Sequence, residues 1–324
     1  MTKRIQLSRH GGPEVLEYVD FIPAAPGPRE VLVRNRAIGL NFIDTYYRNG
    51  LYPLQLPSGL GSEGAGVVEA VGSAVSEFQV GDRVAYATGP QVSYAELSVL
   101  PADVLVPVPD AVSFEQAAAV TLKGLTVQYL LRQIGQLEGG ETILFHAAAG
   151  GVGSLACQWA KALGVKLIGT VGSAEKAERA QALGAWATID YSRENVVERV
   201  LELTNGARCP VVYDSVGKDT WEISLDCVAR RGLLVSFGNA SGPVSGVNLG
   251  ILAQKGSLFV TRPILAGYAD TPERLRAMAA ELYGLVADGS LQVDIGHRYA
   301  LADAGQAQAA QAARQTTGST ILLP

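Results

Sequence analysis

The stretch ETILFHAAAGGVGSLACQWAKALG, residues 141–164, decides how this chain folds. Residues 142–145 are a short apolar run, the form of a strand buried on both faces. Ala147, Ala148, Ala149, Gly150, Gly151 and Gly153 then place six small residues within seven positions. Val152, Leu155, Ala156, Trp159, Ala160 and Leu163 recur on one helical face, and Gly164 stands where a helix end takes a left-handed residue. Strand, small-residue turn and helix in that order open a dinucleotide-binding βαβ unit. The turn reads Ala148-Ala149-Gly150-Gly151-Val152-Gly153, with Ala148 in place of the first glycine of G-x-G-x-x-G. Gly150, Gly151 and Val152 are the residues expected against a pyrophosphate, because free N–H groups and the positive end of a helix dipole meet there.

A chain of 324 residues with 48% hydrophobic content has the length of two domains and can bury a sizeable core. No run of about 18 apolar residues occurs, so a membrane span is not expected. The first residues lack the apolar stretch of a signal peptide, and the expected location is cytoplasmic. Cys157, Cys209 and Cys227 show no C-x-x-C spacing and read as reduced core residues. A net charge of −5 without Lys/Arg blocks argues against an extended nucleic-acid or anionic-membrane surface.

Outward from the turn, residues 1–122 are β-rich: 4–7, 14–21, 30–38, 65–71, 83–87 and 93–100 are β-prone runs punctuated by Gly and Pro, as in a barrel-like domain. Residues 41–48 break this pattern and suit a short helix or loop at a site. Ser113 and Gln116 resemble a capping box, followed by a helix over 117–131 with an interruption near Lys123-Gly124. From 123 to 264 short apolar strands at 142–145, 165–171, 186–190, 210–214, 232–237 and 257–261 come with helical stretches at 174–183, 192–203 and 219–231 between them, an alternation that implies an α/β doubly wound parallel sheet. Residues 265–324 carry a helix signalled by Thr271-Pro272, an alanine-rich helix over 303–314 and a strand-like end at 320–323 that could return to the first domain.

These residues resemble the zinc-independent quinone oxidoreductases of the medium-chain dehydrogenase/reductase superfamily, the group that includes zeta-crystallin. The likeness is carried by Gly39-Leu40-Asn41-Phe42-Ile43-Asp44, Leu60-Gly61-Ser62-Glu63-Gly64-Ala65-Gly66, the turn at 147–153, Val212-Tyr213-Asp214-Ser215-Val216-Gly217 and Val235-Ser236-Phe237-Gly238-Asn239. It implies a Rossmann domain inserted in a GroES-like β-barrel catalytic domain, a cleft active site, a homodimer, and reduction of a quinone by NADPH through direct hydride transfer. In related alcohol dehydrogenases a catalytic zinc is held by two cysteines and a histidine at positions that here read Asn41, Lys123 and Ser62. None is a good zinc ligand, so no metal is expected.

The same resemblance places Phe42, Ile43, Asp44, Thr45 and Tyr46 over the nicotinamide, with Thr126 and Tyr129 reaching the cofactor from the helix that enters the Rossmann domain. Val216, Gly217, Phe237 and Gly238 follow strand ends, where ligands bind in such sheets. Asn41, Tyr52 and Lys123 are the expected catalytic residues; Tyr52 or Lys123 offers a donor for the developing quinol oxygen. At the end of the second Rossmann strand an NAD-specific enzyme carries Asp or Glu, whereas Val171-Gly172-Ser173 stands here. With Lys176, Tyr191 and, from the tail, Arg314, this set suits the 2′-phosphate of NADPH. The alternatives are an alkenal or enone reductase on the same scaffold and, in another class, an AU-rich RNA-binding protein, for which the basic stripe and aromatic signature are missing.

Overall fold

The computed structural model describes residues 1–313 and 315–324; Arg314 lies outside them. In chain order, the elements begin with β1 (Thr2–Leu7), β2 (Leu16–Phe21), β3 (Glu30–Leu40), α1 (Phe42–Arg48), β4 (Gly64–Val71), β5 (Arg83–Tyr86), β6 (Leu97–Pro101), β7 (Val106–Pro107) and α2 (Phe114–Gln128). The middle of the chain forms β8 (Thr142–Phe145), α3 (Gly151–Ala162), β9 (Lys166–Val171), α4 (Ala174–Ala182), β10 (Ala187–Asp190), α5 (Val196–Leu203), β11 (Cys209–Asp214), α6 (Trp221–Cys227), β12 (Val228–Ser236), α7 (Gly250–Gln254) and β13 (Phe259–Thr261). Last come α8 (Pro272–Ala287), β14 (Ile295–Ala300), α9 (Ala304–Ala312) and β15 (Ser319–Leu323). Two compact units result: residues 1–125 with 269–289 and 293–324, and residues 126–268 with 290–292.

The first unit is built on a seven-stranded sheet with the order β14-β15-β3-β4-β5-β7, in which β6 also pairs with β3. β15 lies antiparallel on β3, with Ile321 opposite Gly39, so the C-terminal segment completes the sheet of the N-terminal one. Alternation explains the first half of β3, where Val31 and Val33 are buried between half-buried Leu32 and Arg34. From Ala37 to Leu40 every residue is buried. Val31, Val33, Val68, Val84 and Leu100 form one apolar cluster, and Ile5, Ile38, Leu40, Leu60 and Leu322 another.

The second unit is a six-stranded parallel sheet, β10-β9-β8-β11-β12-β13. Counted from β8 this is the doubly wound order, and it reverses direction between β8 and β11. Leu144, Ile168, Ile189, Val212 and Leu234 from five strands pack with Val196 and Val200 of α5 and Leu225 of α6. Asn195 starts α5 by accepting from the Val197 and Glu198 N–H groups, so the helix begins four residues later than the apolar pattern suggests. Among the described residues no helix is long and apolar enough to cross a membrane.

Residues 41–48, which suit a short helix or loop, form α1, held at its start by Asp44, whose carboxylate accepts from the Asn41 N–H at 2.8 Å. Two sequence readings need correction. The expected interruption at Lys123-Gly124 does not occur: α2 runs on to Gln128 and then widens into a π-helical turn over Tyr129–Ile134. Gly124 serves packing instead, since a Cβ there would stand 2.4 Å from Leu282 of α8. The helix expected over 219–231 stops at Cys227, because Val228, Leu234 and Val235 belong to a buried strand. The reciprocal bonds of Ser113 and Gln116 at 2.9 and 3.1 Å do form the capping box that starts α2.

Gly39 shows how closely β3 and α2 approach. A Cβ at this position would meet the Ala118 carbonyl oxygen at 2.3 Å and the Glu63 carboxylate at 2.1 Å. Overpacking against backbone costs about 1–3 kcal/mol or more. Gly39→Ala should therefore lower the unfolding free energy by that amount, seen as a lower urea midpoint with an unchanged m value; an unaltered midpoint would show that β3 and α2 can part freely.

Candidate functional site

Two groups of functional side chains stand out, one in each unit. In the second unit β8 ends at Phe145 and α3 starts at Gly151, with Gly150 as its N-cap. No side chain caps this helix, so the first N–H groups of α3 face outward for a ligand. The turn is held from below: Ala148 N–H donates to the Thr170 carbonyl at 3.0 Å and Gly150 N–H to the Ala147 carbonyl at 2.9 Å. Gly153 cannot be replaced at this distance, because its Cβ would lie 2.3 Å from the Ala147 oxygen. Gly150 is exposed, with Gly151 and Val152 half-buried. A small-residue cradle at an uncapped helix start fits a dinucleotide pyrophosphate.

At the end of β9, Gly172 and Ser173 lead into α4, and Ser173 Oγ caps that helix by accepting from Lys176 N–H at 3.3 Å. Tyr191 follows β10, 55% exposed, and its hydroxyl would stand 2.5 Å from a Cβ on Gly172. The structure thus brings Gly172, Ser173, Lys176 and Tyr191 together. One nearby acid, Asp190, is engaged locally: its Oδ1 accepts from the Ser192 hydroxyl at 2.6 Å and the Ser192 N–H at 3.0 Å. These bonds hold its carboxyl below the usual range. Arg314 falls outside the described residues.

The other cofactor candidates of this unit sit at strand and helix ends. Val216 and Gly217 donate their N–H groups to Asp214 at 2.8 and 3.0 Å, which leaves the Val216 side chain as the surface they offer. Phe237 packs on Phe145 with ring centres 5.7 Å apart, and a Cβ on Gly238 would meet the Ser215 carbonyl at 2.3 Å. Thr126 is half-buried, while Tyr129 is buried and stacked on Tyr268 at 4.9 Å.

In the first unit the cluster is charged and dry. Glu63 is fully buried; its Oε1 accepts from Leu122 N–H at 2.7 Å and its Oε2 from Asn41 Nδ2 at 2.7 Å. Lys123 Nζ lies 3.7 Å from Glu63 Oε2, enclosed, with no hydrogen-bond partner among the described residues. Burial pushes the Glu63 carboxyl up, and the charge of Lys123 and the Asn41 and Leu122 donors oppose that shift. Asp44, also fully buried, accepts at Oδ2 from Asn41 N–H and from the Tyr94 hydroxyl at 2.9 Å. Gln308 joins Tyr94 to Arg48, with bonds of 3.3 and 2.5 Å.

The structure therefore brings Asn41 and Lys123 together on a residue that sequence reasoning passed over, Glu63. Its signal was a lone carboxylate between Ser62 and Gly64 in an otherwise apolar and small segment. Tyr52 is placed differently: it is half-buried, edge-on to Tyr46 at 5.3 Å and to Tyr47 at 5.6 Å. In α1, Phe42 is exposed and Ile43 and Tyr46 half-buried, whereas Thr45 is buried and spends its hydroxyl on the Phe42 carbonyl at 2.6 Å. Asp44 turns inward. Among the described residues no group of three or more His, Cys, Asp or Glu could hold a metal ion.

Residues 151–280 match the family described as zinc-binding dehydrogenase, and residues 27–110 the alcohol dehydrogenase GroES-like domain. The chain is 73% identical over 325 residues to a quinone oxidoreductase of Pseudomonas aeruginosa, covering 100% of both. Its fold matches the crystal structure of a Pseudomonas syringae quinone oxidoreductase with a TM-score of 0.99 at 70% identity, covering 100% of both chains. It also matches Escherichia coli quinone oxidoreductase complexed with NADPH, with a TM-score of 0.98 at 56% identity over 99% of this chain and 100% of that one.

Asp44 gives the site a pH signature. Burial first, then the charge of Glu63, raises its carboxyl from 3.8 to about 7 against the pull of Asn41, Tyr94 and Lys123. Within that window the native protein keeps a proton that the unfolded chain loses, so stability falls as pH rises and levels off above about 7. From about pH 4.5 to about pH 7.5, wild-type protein should lose on the order of 3 kcal/mol more unfolding free energy than Asp44→Asn. Parallel urea titrations of the two proteins check this; identical pH slopes would refute it.

Proposed function

We propose that this chain, which belongs to the quinone oxidoreductases of the medium-chain dehydrogenase/reductase superfamily, reduces quinones with NADPH and needs no metal to do so. The observation that carries the metal-free reading is the Lys123 ammonium 3.7 Å from the buried Glu63 carboxylate, with the Asn41 amide on the same oxygen. An ammonium repels a divalent cation, and an amide and a hydroxyl such as that of Ser62 are poor substitutes for thiolate or imidazole. The chain supplies its own positive charge where a metal enzyme would bind one.

NADPH, when bound, supplies the hydride. Gly150, Gly151 and Val152 at the start of α3 hold its pyrophosphate, and Ser173, Lys176 and Tyr191 its 2′-phosphate. Val216, Phe237 and Gly238 border the cofactor in the same unit, with Thr126 from the last turn of α2 and Tyr129 from the π-helical turn that follows it. Phe42 and Tyr46, with Ile43 between, cover the nicotinamide; Asp44 and Thr45 keep that helix in shape from its buried side. The quinone carbonyl needs one proton as it takes the hydride. Tyr52, half-buried and carrying a phenolic donor, gives that proton, while Lys123 and Asn41 stabilise the negative charge on the substrate oxygen.

An exposed sheet edge supports a homodimer. β13 ends the six-stranded sheet, and its Phe259 is 63% exposed; Leu249 before it in the chain is 74% and Ile264 after it 65% exposed. An apolar, unpaired edge strand invites pairing, and a second copy across a two-fold axis would join two sheets into one. Cytoplasmic residence fits three buried cysteines with free thiols.

Purified protein should reduce 1,4-benzoquinone and 9,10-phenanthrenequinone with NADPH, unaffected by chelators. Preferential turnover of medium-chain 2-alkenals, or activity lost with stoichiometric zinc, would overturn the assignment. Lys176→Ala should weaken NADPH binding roughly 10- to 100-fold, the equivalent of one charge-assisted hydrogen bond of about 1.5–3 kcal/mol, and leave NADH nearly untouched. Equal weakening of both cofactors in a fluorescence titration would remove Lys176 from the phosphate site.

A further inference from the structure

Beneath the phosphate turn runs a line of buried polar side chains. His146 is 2% exposed, Thr170 and Asp214 each 1%, and Ser224 is fully buried. Asp214 collects donors on both oxygens: Val216 N–H, Gly217 N–H, the Thr220 hydroxyl and the Ser224 hydroxyl, the last at 2.6 Å. Ser224 Oγ is 3.0 Å from His146 Nε2, and His146 Nδ1 is 2.9 Å from Thr170 Oγ. Thr170 Oγ in turn accepts from the Ala147 N–H at 3.4 Å.

Proton counting fixes the direction of every bond. Ser224 has one hydroxyl hydrogen and gives it to Asp214, so its oxygen must accept from His146, and Nε2 carries the imidazole proton. Burial favours the neutral ring, with the charge of Asp214 opposing. Nδ1 is then a bare acceptor and takes the only hydroxyl hydrogen of Thr170, whose oxygen is left to receive Ala147 N–H. The residue at the end of this line is unusual: Ala147 has φ +56°, the left-handed region that a residue with a Cβ enters at a cost of about 1–2 kcal/mol. Ser, His and Asp here do not form a nucleophilic triad, because the serine proton points to the aspartate and not to the histidine.

We infer that His146 is a positioning residue for cofactor binding: through Thr170 it transmits the fixed hydrogen-bond direction set by Asp214 to Ala147, and so holds the phosphate turn in its left-handed form. The same aspartate orders residues 216–220, so one anion organises both the turn after β8 and the loop after β11. This inference rests on reading that turn as the dinucleotide site, and it concerns the part of the cofactor that NADPH and NADH share.

The test combines imidazole 15N NMR with fluorescence titration of both cofactors on wild type, Thr170→Val and Thr170→Ser. Wild type should show a neutral His146 protonated at Nε2. Thr170→Val, which keeps the volume and removes the hydroxyl, should shift the Nδ1 resonance and weaken NADPH and NADH by the same factor, roughly 10-fold for one lost hydrogen bond. Thr170→Ser, which restores the hydroxyl, should recover wild-type affinity. A proton on Nδ1 in wild type, or Thr170→Val binding both cofactors normally, would overturn the inference alone. Failure of wild type to bind either cofactor would overturn the reading of the turn and the inference with it.

Discussion

The cluster that joins Asn41 to Lys123 in the first unit depends on satisfying a carboxylate that water cannot reach. Glu63 has no solvent exposure, and the chain answers it from three directions: the middle of α2 through Leu122 N–H, the residue before α1 through the Asn41 amide, and the ammonium of Lys123. Removing one partner of such a buried pair costs on the order of 3–5 kcal/mol, because the other charge is stranded. The position of α1 relative to α2 within this unit is therefore set by an ion and not only by apolar packing. Gly39 belongs to the same constraint, since only a residue without a Cβ leaves room for the carboxylate beside the Ala118 carbonyl.

The second unit repeats the arrangement with a different anion. Asp214 gathers its donors from the loop that follows its own strand and from Ser224 of α6, and the line continues through His146 to the turn after β8. β8 and β11 are the neighbours between which strand order reverses, so the anion sits where a parallel sheet of this kind opens its binding crevice. In both units a buried acid does the work that loop packing alone would do poorly: it holds backbone N–H groups, that of Leu122 within α2 in one unit and those of Val216 and Gly217 after β11 in the other.

How much of this could be read from sequence divides along physical lines. Periodicity and turn chemistry made the Rossmann strands, the α3 turn and the returning C-terminal strand legible, because burial on one face or both leaves a pattern in the residues themselves. Helix ends were harder. α2 runs through Gly124 because Leu282 fills the space of the missing side chain, a tertiary reason that no local pattern carries. Val228–Ser236 looked helical in its first residues, yet pairing with Cys209 and Val211–Asp214 draws it into the sheet. Asn41 and Lys123 were found as replacements for metal ligands, but Glu63, which joins them, was not: a buried ion pair is made by residues far apart in sequence, and its members look like any surface charge. Asp44, expected over the nicotinamide, turns inward instead, and Thr170 carries no local signal, because which way a side chain turns is set by tertiary packing.

The pairing of β15 with β3 has a consequence for how the chain becomes this structure. The second unit is almost contiguous in sequence, so its contacts close short loops and can form as soon as that stretch is available. The first unit cannot finish its sheet until the last strand arrives to lie between β3 and β14. During synthesis the Ile38–Leu40 end of β3, beyond its pairing with β6, thus waits without its last neighbour while an entire domain is made and folds. That short edge is apolar through Ile38 and Leu40, which makes the interval before β15 appears the period in which this protein is most exposed to wrong pairing with another chain.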